Sequence, residues 1–407
     1  MKVLHIVPTY FPAHGIGGPI VSVHLLNKWL VKRGVEVTVF TTNFGIKEAI
    51  PLGKEVVLDG VKVWYFPVSL KFWQYSSEMR KAIKNTLKNF DIAHITSVFL
   101  GASTLGAYYA RKHKKPYVIS PRGSLMKETI GHRKIKKLLY LWLIEKRNLE
   151  NASAIHFTLP VERDEYLELR LPCKKAIVVP NGIEAGQMAN SKGQIAGEEF
   201  KRKYGIKEDA KVVLFLGRIS WKKGFDTLMP AFKRAKEQIA NSEWQMAKNE
   251  EQRVGGKVVL VIAGPDDEGY KSEVFKQIAK NKLRAGEDVI FTGMLIGEEK
   301  KVAFDVADVF ALPSYAENFG IAVLEAMQAG VPVVATFQVG IAPYIKEANA
   351  GVVVEKNETD VADAICKILS NKEVAYDMAK NGTLLAKKFS AETVANDMLA
   401  QYEGLLR

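Results

Sequence analysis

Short apolar runs alternate with longer amphipathic ones along the first half of the chain. The runs with the length and composition of buried strands are KVLHIVP, VEVTVFTT, VKVWYFP, DIAHIT, PYVISP and SAIHFT. Between the first two lies PIVSVHLLNKWLVKRG, whose apolar residues have helical spacing. Strand, helix and strand in this order are typical of a parallel sheet. The pattern therefore predicts a Rossmann-like, doubly wound domain over residues 1–180.

The same alternation restarts after a Pro-Asn-Gly turn and a polar stretch that ends at Gly205. The later strand-like runs are AKVVLFLGR, KVVLVIAGP, DVIFTG, DVFALPS, VPVVAT and GVVVE. We expect a second Rossmann-like domain over residues 181–390, with an exposed insertion at 242–256. A terminal helix over 391–407 is expected to pack back toward the first domain. In this α/β architecture, the default ligand site is a cleft between the carboxyl ends of two facing sheets.

The composition narrows the class of protein. The chain has 407 residues, of which 47% are hydrophobic and 25% charged, and this excludes a mainly disordered chain. Cys173 and Cys366 are far apart, which disfavours a disulfide framework or a thiolate zinc site and fits a reducing cytosol. The N-terminal apolar run is too short for a signal peptide, and polar residues interrupt the uncharged stretch at 92–110. We therefore expect a cytoplasmic protein without a membrane span.

Positive charge is concentrated in the first half. Residues 1–180 hold 28 Lys and Arg against 13 Asp and Glu, whereas the remainder is nearly balanced. The charge is densest at 111–147, which includes RKHKK (111–115) and HRKIKK (132–137), the latter next to LLYLWLI. Such a surface would be attracted to the anionic inner face of a membrane. A soluble basic face over a core helix explains the pattern equally well, and both interpretations stay open.

Three loops contain candidate ligand-binding groups. Gly15-Ile-Gly-Gly-Pro19 joins the first strand to the first helix, where a phosphate contact or a plain tight turn are both open. In LFLGRISWKKGFD, Arg218 and Lys223 follow a strand of the second domain, where two cations can hold a diphosphate. Lys222 is interpreted as an ordinary surface lysine.

The third loop is in DVFALPSYAENFGIAVLEAMQAG. The strand ends at Pro313-Ser314, Glu317 lies in the loop, and Glu325 lies in the helix that follows. Backbone N–H groups at 319–321 would form an anion site. If Glu317 lies at the N-terminal edge of that helix, Glu325 lies two turns along on a similar face, and one carboxylate could bind a hexose and the other a ribose. The alternative is a helix-capping Glu317 and a surface Glu325.

In combination these residues resemble the GT-B glycosyltransferases of the retaining group 1, family 4 class, including members that act in bacterial polysaccharide biosynthesis. The resemblance covers nearly the whole chain. It rests on Gly15 to Gly18, Pro180-Asn181-Gly182-Ile183, Gly217-Arg218, Lys223-Gly224, Ala263-Gly264-Pro265 and the pair Glu317 and Glu325. It implies retaining transfer of a hexose from a UDP- or GDP-sugar to a hydroxyl of a glycan or lipid-linked acceptor. No metal ion and no cofactor are implied, and the second domain would hold most of the donor.

The resemblance also implies roles for individual residues. Arg218 and Lys223 resemble the diphosphate pair, Glu317 the residue on the donor hexose, and Glu325 the residue on the ribose. With Arg218, Lys223 and Glu317 as the catalytic group, the implied donor-binding residues are Gly17, Gly18, Gly264, Ser314, Asn318, Phe319, Gly320, Ile321 and Glu325.

Many relatives have a histidine before the glycine in the loop after PYVISP, where this chain has Arg122-Gly123. The role of that histidine does not transfer to Arg122. His94, interpreted as ending the strand DIAHIT, resembles a ligand-facing position, although a lone histidine at a strand end is more often structural. Both residues are candidates for the acceptor side.

Three other functions are consistent with parts of the pattern. A metal-dependent GT-A enzyme would need a carboxylate pair such as Asp266-Asp267-Glu268, but the flanking Gly-Pro and Gly-Tyr indicate a solvated turn. A sugar-nucleotide epimerase could share the GT-B fold. A nucleic-acid-binding protein is disfavoured because few aromatic residues interleave the basic runs and no reading helix is evident.

Overall fold

The computed structural model describes residues 1–407 except 14, 16, 132–133, 185–190, 247–256 and 268. Parts of three sequence features therefore lie outside the described residues: the glycine loop, the basic run at 132–137 and the insertion at 242–256. The chain divides into two compact units. Unit 1 comprises Met1–Glu184 and Phe389–Arg407, and unit 2 comprises Ala185–Lys388.

The strands are β1 Lys2–Thr9, β2 Glu36–Thr42, β3 Glu55–Leu58, β4 Val61–Phe66, β5 Ile92–Thr96, β6 Tyr117–Ser120, β7 Ala154–Phe157, β8 Ala176–Val178, β9 Lys211–Leu216, β10 Val258–Ala263, β11 Val289–Gly293, β12 Val309–Leu312, β13 Val333–Thr336 and β14 Gly351–Val354. The helices are α1 Gly18–Lys32, α2 Ser77–Thr86, α3 Gly101–Lys112, α4 Lys127–Gly131, α5 Lys134–Tyr140, α6 Lys146–Asn151, α7 Pro160–Glu168, α8 Ser191–Lys203, α9 Phe225–Met246, α10 Lys271–Lys280, α11 Gly297–Asp305, α12 Ile321–Gln328, α13 Ala342–Glu347, α14 Glu358–Ser370, α15 Lys372–Lys387 and α16 Ala391–Leu406. A π-helical segment, Leu141–Glu145, connects α5 to α6.

Unit 1 is built on an eight-stranded sheet in the order β3-β4-β2-β1-β5-β6-β7-β8. Its strands are parallel apart from β3, which pairs antiparallel with β4. One apolar cluster packs on each face of this sheet. The second cluster joins Val394, Met398 and Tyr402 of α16 to Val23 and Leu26 of α1. The last helix of the chain is therefore part of the core of unit 1.

Unit 2 is built on a six-stranded parallel sheet in the order β11-β10-β9-β12-β13-β14. Strands β9, β10 and β12 are almost wholly buried, as expected for parallel strands covered by helices on both faces. With the sheet of unit 1, this confirms the predicted architecture of two Rossmann-like α/β domains.

The structure adds local features that the sequence pattern did not indicate. The polar stretch before Gly205 contains helix α8, and α9 continues to Met246, into the start of the segment predicted to be an exposed insertion. The hairpin of β3 and β4 was not expected at all. Its turn is Asp59-Gly60, with φ values of 49° and 82°, which is the chemistry that two-residue hairpins favour. Among the described residues, no helix is both long and apolar enough to span a bilayer.

Candidate functional site

The candidate site lies at the carboxyl edge of the sheet of unit 2, where loops follow β9, β10, β12 and β13. Backbone hydrogen bonds connect these loops to one another. Gly217 N donates to Ala263 O (2.9 Å), and Ile219 N donates to Pro265 O (2.8 Å). Farther along the edge, Glu317 N donates to Gln338 O (3.1 Å). The loops therefore form one connected platform rather than independent flexible segments.

Two glycines allow this close approach. A Cβ on Gly224, whose φ is +72°, would lie 1.9 Å from the carbonyl oxygen of Pro313. A Cβ on Gly264 would lie 1.8 Å from the carbonyl oxygen of Gly217. No side chain fits at either position. The structure thus gives Gly264, a predicted donor-binding residue, a packing role at this edge.

Lys223 and Glu317 meet at the centre of the platform. The ammonium of Lys223 donates to Oε2 of Glu317, and both side chains are largely buried. A Cβ on Gly217 would lie 3.9 Å from Nζ of Lys223, so the ammonium lies directly beside that glycine. The structure therefore brings together two of the three predicted catalytic residues.

Arg218 lies beside this pair in the chain and has a different partner. Its Nη1 donates to Oδ2 of Asp267 (2.9 Å), and 42% of the Arg218 side chain is exposed. Asp267 was expected in a solvated turn, and its contact with Arg218 was not predicted. The signal that could have found it is strand order, because β10 lies next to β9 and its loop ends at the same edge.

Glu325 lies in helix α12, as predicted, but the helix begins at Ile321, four residues after Glu317, so the two carboxylates do not share a helix face. Oε1 of Glu325 accepts a hydrogen bond from Nζ of Lys300 in α11 (2.6 Å). Lys300 was not identified from the sequence, because the two residues belong to different helices. All four predicted charged groups of unit 2 thus have a partner of opposite charge.

Helix α12 begins at Ile321, and its N-cap Gly320 has φ +96°. A Cβ on Gly320 would lie 2.8 Å from Val339 Cγ1, which explains the glycine by close packing. Phe319 is buried, and its carbonyl oxygen accepts a hydrogen bond from Ile341 N (3.0 Å). Asn318, between Glu317 and Phe319, is partly buried. The helix start is therefore held in place by the loop that follows β13.

Ser314, which follows β12 by two residues, is fully buried. Its hydroxyl has no hydrogen-bond partner among the described groups, although its carbonyl oxygen accepts from Thr336 Oγ1 (2.8 Å). Buried hydroxyl groups normally have a partner. The described residues supply no partner for this hydroxyl, and its predicted contact with the donor stays a prediction.

An aromatic group that the sequence analysis missed borders the same edge. The hydroxyl of Tyr315 donates to Oδ2 of Asp226, and this bond together with burial raises the pKa of Tyr315 to about 12. Nζ of Lys356 lies 3.6 Å from the centre of the Tyr315 ring. Tyr315 N also donates to Lys222 O (2.8 Å), so the aromatic group is attached to the loop that carries Lys223.

The acidic turn after β10 uses its carboxylates locally. Oδ1 of Asp266 accepts from Lys271 N (2.9 Å), and Asp267 binds Arg218 as described above. Glu268 lies outside the described residues. Within the described part of the chain, no three His, Cys, Asp or Glu side chains are grouped so as to hold a metal ion.

The remaining predicted residues belong to unit 1. Gly17 is the N-cap of α1, with φ 121°, and Gly18 is the first residue of the helix. Gly17 O accepts from Ile20 N (3.2 Å) as the helix begins. A glycine at the N-cap fits the positive φ, and the start of α1 presents N–H groups of the kind that bind anions.

His94 does not end its strand. It is the third residue of β5, it is fully buried, and its ring stacks on that of His5 with centroids 4.4 Å apart. Its Nδ1 accepts from the hydroxyl of Tyr402 (2.5 Å), and its Nε2 donates to Nδ1 of His156 (3.3 Å). Burial lowers the pKa of His94 well below the usual value. With both ring nitrogens bonded in the core, His94 presents no atom to an acceptor, which corrects the acceptor-side expectation.

Arg122 follows β6 by two residues and has φ 53°, a left-handed conformation that is uncommon for arginine. Its Nη1 donates to Oδ1 of Asn181, and burial lowers its pKa to about 10. Its Nε is buried without a hydrogen-bond partner, and among the described residues the guanidinium forms no ion pair. Its predicted acceptor-side role stays a prediction.

Comparison with known protein families gives two matches. A family model described as glycosyl transferases group 1 matches residues 197–384. A second model, described as a glycosyl transferase 4-like domain, matches residues 17–182. Between them, the two models cover most of the chain.

Individual relatives and solved structures give the same result. An uncharacterized glycosyltransferase of Methanocaldococcus jannaschii is 26% identical, over 97% of this chain and 96% of that protein. Alpha-monoglucosyldiacylglycerol synthase of Streptococcus pneumoniae is 26% identical, over 91% of this chain and 78% of that protein. Sucrose-phosphate synthase from Thermosynechococcus elongatus has the same fold, with a TM-score of 0.75 and 20% identity over 100% and 99% of the two chains. Anabaena HepE, solved in complex with UDP-glucose, has a TM-score of 0.74 and 16% identity, and the match covers 99% of this chain and 100% of that chain.

Proposed function

The chain belongs to the group 1 glycosyltransferases, and on that premise we propose that it transfers a hexose with retention of configuration. The donor is a nucleotide-diphospho-sugar carrying UDP or GDP, and the acceptor is a hydroxyl of a glycan or a lipid-linked glycan. The reaction needs no metal ion. We place it on the cytoplasmic side of the membrane, in the biosynthesis of cell-surface polysaccharide.

The observation that carries the proposal is the grouping of charges at the carboxyl edge of the sheet of unit 2. Lys223 contacts Glu317, and Arg218 lies in the adjoining loop with its side chain partly exposed. Each cation is held by one carboxylate, Glu317 or Asp267. A diphosphate can replace those carboxylates as the counter-ion, and the displaced Glu317 is then free to accept hydrogen bonds from sugar hydroxyls.

The chemical step has a charge-separation barrier. As the bond between the anomeric carbon and the phosphate oxygen breaks, positive charge grows on the sugar and negative charge grows on the β-phosphate. Fixed cations near that phosphate lower the barrier, because they are in place before the charge develops. The acceptor oxygen attacks from the same face as the leaving group, and its proton goes to the departing phosphate oxygen. No protein nucleophile takes part in this mechanism.

One comparison supports a nucleotide-sugar donor. Anabaena HepE, which shares the fold, was solved in complex with UDP-glucose. A donor of the same class would supply the diphosphate that the charges of unit 2 fit.

A donor screen tests the proposal. The thermal midpoint of unfolding is measured with UDP-, GDP- and ADP-sugars, since a ligand that binds only the folded state raises it. We expect stabilisation by sugars of a single base, lost in Arg218→Ala and kept in Lys222→Ala, which removes a neighbouring cation. Stabilisation by none of the three, or equal stabilisation in Arg218→Ala, would contradict the proposed donor site. Retention is then checked by NMR of the anomeric proton in the product, with and without added EDTA.

A further inference from the structure

The strongest feature outside the donor site is a helical segment on the surface of unit 1. Residues 134–151 form one helical run made of α5, the π-helical segment and α6. Its inner side is fixed by Leu141 and Leu149 in the core, and by the buried Glu145. Glu145 accepts from Phe99 N (2.9 Å) and from Asn148 Nδ2 (3.0 Å). The run is thus firmly attached, and the direction of its outer side is determined by these contacts.

The outer side carries large apolar side chains. Leu139, Trp142 and Leu143 are 60%, 61% and 70% exposed. Phe72, in the short turn Lys71–Trp73, is 86% exposed. The turn touches the helix, because Trp73 Nε1 donates to the hydroxyl of Tyr140 (2.9 Å). We call Phe72, Leu139, Trp142 and Leu143 the apolar ridge.

Four such side chains in two adjoining segments differ from the scattered exposed leucines of any surface. Burying each one would be favourable, yet the fold leaves them largely in water. Exposed apolar groups that cluster in this way mark a surface that binds something. Tryptophan among them favours the boundary between water and lipid, where its ring is buried and its N–H stays hydrated.

The charges around the ridge select the partner. Lys71, Lys136 and Arg147 are exposed, and Nζ of Lys146 lies 4.3 Å from the centre of the Trp142 ring. Within 136–147 the sole acidic residue is Glu145, and its carboxylate points into the core. The stretch 136–147 therefore combines exposed apolar groups with positive charge and has no exposed carboxylate, and the exposed Glu150 lies farther along α6. Anionic lipid headgroups over an acyl layer complement that combination.

We propose that the apolar ridge and its flanking cations dock unit 1 onto an anionic membrane. The ridge enters the boundary between headgroups and acyl chains, and Lys71, Lys136, Lys146 and Arg147 bind lipid phosphates. The proposal deepens the proposed function by placing the acceptor at a lipid surface, but the docking itself needs no nucleotide sugar. The two can therefore fail separately.

The test is co-sedimentation of the full chain with vesicles of phosphatidylglycerol and phosphatidylcholine, or of phosphatidylcholine alone. We expect binding to the anionic vesicles only, weakening as salt is raised. Trp142→Ala with Leu143→Ser should raise the lipid concentration for half binding at least tenfold, and Trp142→Phe should change it little. The matched control, Tyr376→Ala with Leu384→Ser, removes two exposed apolar side chains from α15 in unit 2 and should bind as the parent does.

Three results would overturn the proposal. They are failure to bind anionic vesicles, equal binding by the ridge variant, and equal loss in the α15 control. A ridge-dependent dimer without vesicle binding would replace the membrane with a second copy of the chain. The donor-induced rise in thermal midpoint is measured on the same variants. A ridge variant that keeps this rise but no longer binds vesicles is folded and intact at the donor site.

Discussion

Unit 1 and unit 2 both place titratable side chains on a parallel sheet, but in opposite environments. In unit 2 the charges lie in loops beyond the strand ends, in ion pairs that water reaches in part. In unit 1, His5, His94 and His156 lie within strands β1, β5 and β7, in the fully buried core. The charged groups that a ligand can reach lie beyond the strand ends. The titratable groups inside the strands are neutral and pack in the core.

The buried histidines form a connected group, which we call the histidine chain, because His94 hydrogen-bonds to His156 and its ring stacks on that of His5. His5 donates from Nδ1 to Asn27 Oδ1 (2.8 Å) and accepts at Nε2 from the Thr96 hydroxyl (2.8 Å). His156 donates from Nε2 to Val179 O (2.8 Å), which leaves its Nδ1 to accept from His94. Burial lowers the pKa of both His5 and His156 to about 3. These rings are neutral over the whole range in which ordinary histidines titrate.

The largest expected effect is on turnover in unit 2. Arg218→Ala removes a cation from the proposed diphosphate site, and we expect kcat to fall about 10²–10³-fold. Lys222→Ala, in the same loop, should stay within about twofold of the parent. Circular dichroism and the thermal midpoint should be nearly unchanged in both, because the Arg218 ion pair is partly exposed. If kcat of Arg218→Ala equals that of the parent, Arg218 has no role in catalysis. The contrast between the charges of unit 2 and the buried histidines of unit 1 would then have no functional meaning.

Acid should affect unit 1 next most strongly. In the unfolded chain a histidine binds its proton near pH 6.5, whereas folded His5 and His156 remain neutral down to about pH 3. Their contribution to stability is therefore present above pH 6.5 and is lost as the pH falls below it, by about 1.4 kcal/mol per pH unit for each ring. The free energy of unfolding is measured by urea titration at several pH values, with hydrogen exchange of the β1 and β5 amides as the probe of unit 1. Its change per pH unit is the slope.

One variant isolates the slope. His156→Asn removes one buried ring and should reduce the slope. Equal slopes in the parent and in His156→Asn would show that the rings of unit 1 titrate normally, and the contrast between the units would disappear.

The close backbone contact in unit 2 predicts a smaller loss. Gly224→Ala places a Cβ on the carbonyl of Pro313, whereas Gly205→Ala, at the similar φ of +67°, meets nothing within 4 Å. Both variants carry the cost of a left-handed residue, about 1 kcal/mol. Gly224→Ala should lose about 1–3 kcal/mol more in the free energy of unfolding, because the loops must move apart. If a denaturant titration gives equal losses for Gly224→Ala and Gly205→Ala, the loops of the platform move apart at no measurable cost.

The smallest effect is expected from Tyr402→Phe. It removes the hydroxyl that donates to His94 and leaves a buried acceptor unsatisfied, so the free energy of unfolding should fall by about 1–2 kcal/mol. The kcat should be unaffected. Tyr376→Phe, on the surface of α15, is the control for loss of a tyrosine hydroxyl. A large fall in kcat with unchanged stability would instead assign the histidine chain to catalysis.

Periodicity predicted the two Rossmann-like domains because strand and helix patterns are local in the sequence. It missed the β3 and β4 hairpin, whose short strands lie at the edge of the sheet, and helix α8, whose residues are mostly polar. It also placed His94 at the end of a strand that runs on to Thr96. Boundaries and edges depend on tertiary packing, which single-sequence patterns report weakly.

At the candidate site, the motifs identified Arg218, Lys223, Glu317 and Glu325, and the structure places them at one edge of a sheet or on the helix beside it. Their ligand contacts stay predictions. Asp267 and Lys300 were missed because their pairing with Arg218 and Glu325 follows from which strands and helices are neighbours. The sequence could not distinguish the apolar ridge from a core helix. The same apolar residues are expected whether the side chains face the core or the solvent.

Helix α16 has a consequence for biosynthesis. Residues 391–406 complete the core of unit 1, where Tyr402 is buried against His94 and a Cβ on Gly182 would lie 2.6 Å from Ala391 Cα. When residues 1–184 have left the ribosome, the apolar face that α1 covers in part still lacks α16. Unit 2 is contiguous and can fold as it emerges, but the core of unit 1 is completed only when residues 391–406 follow.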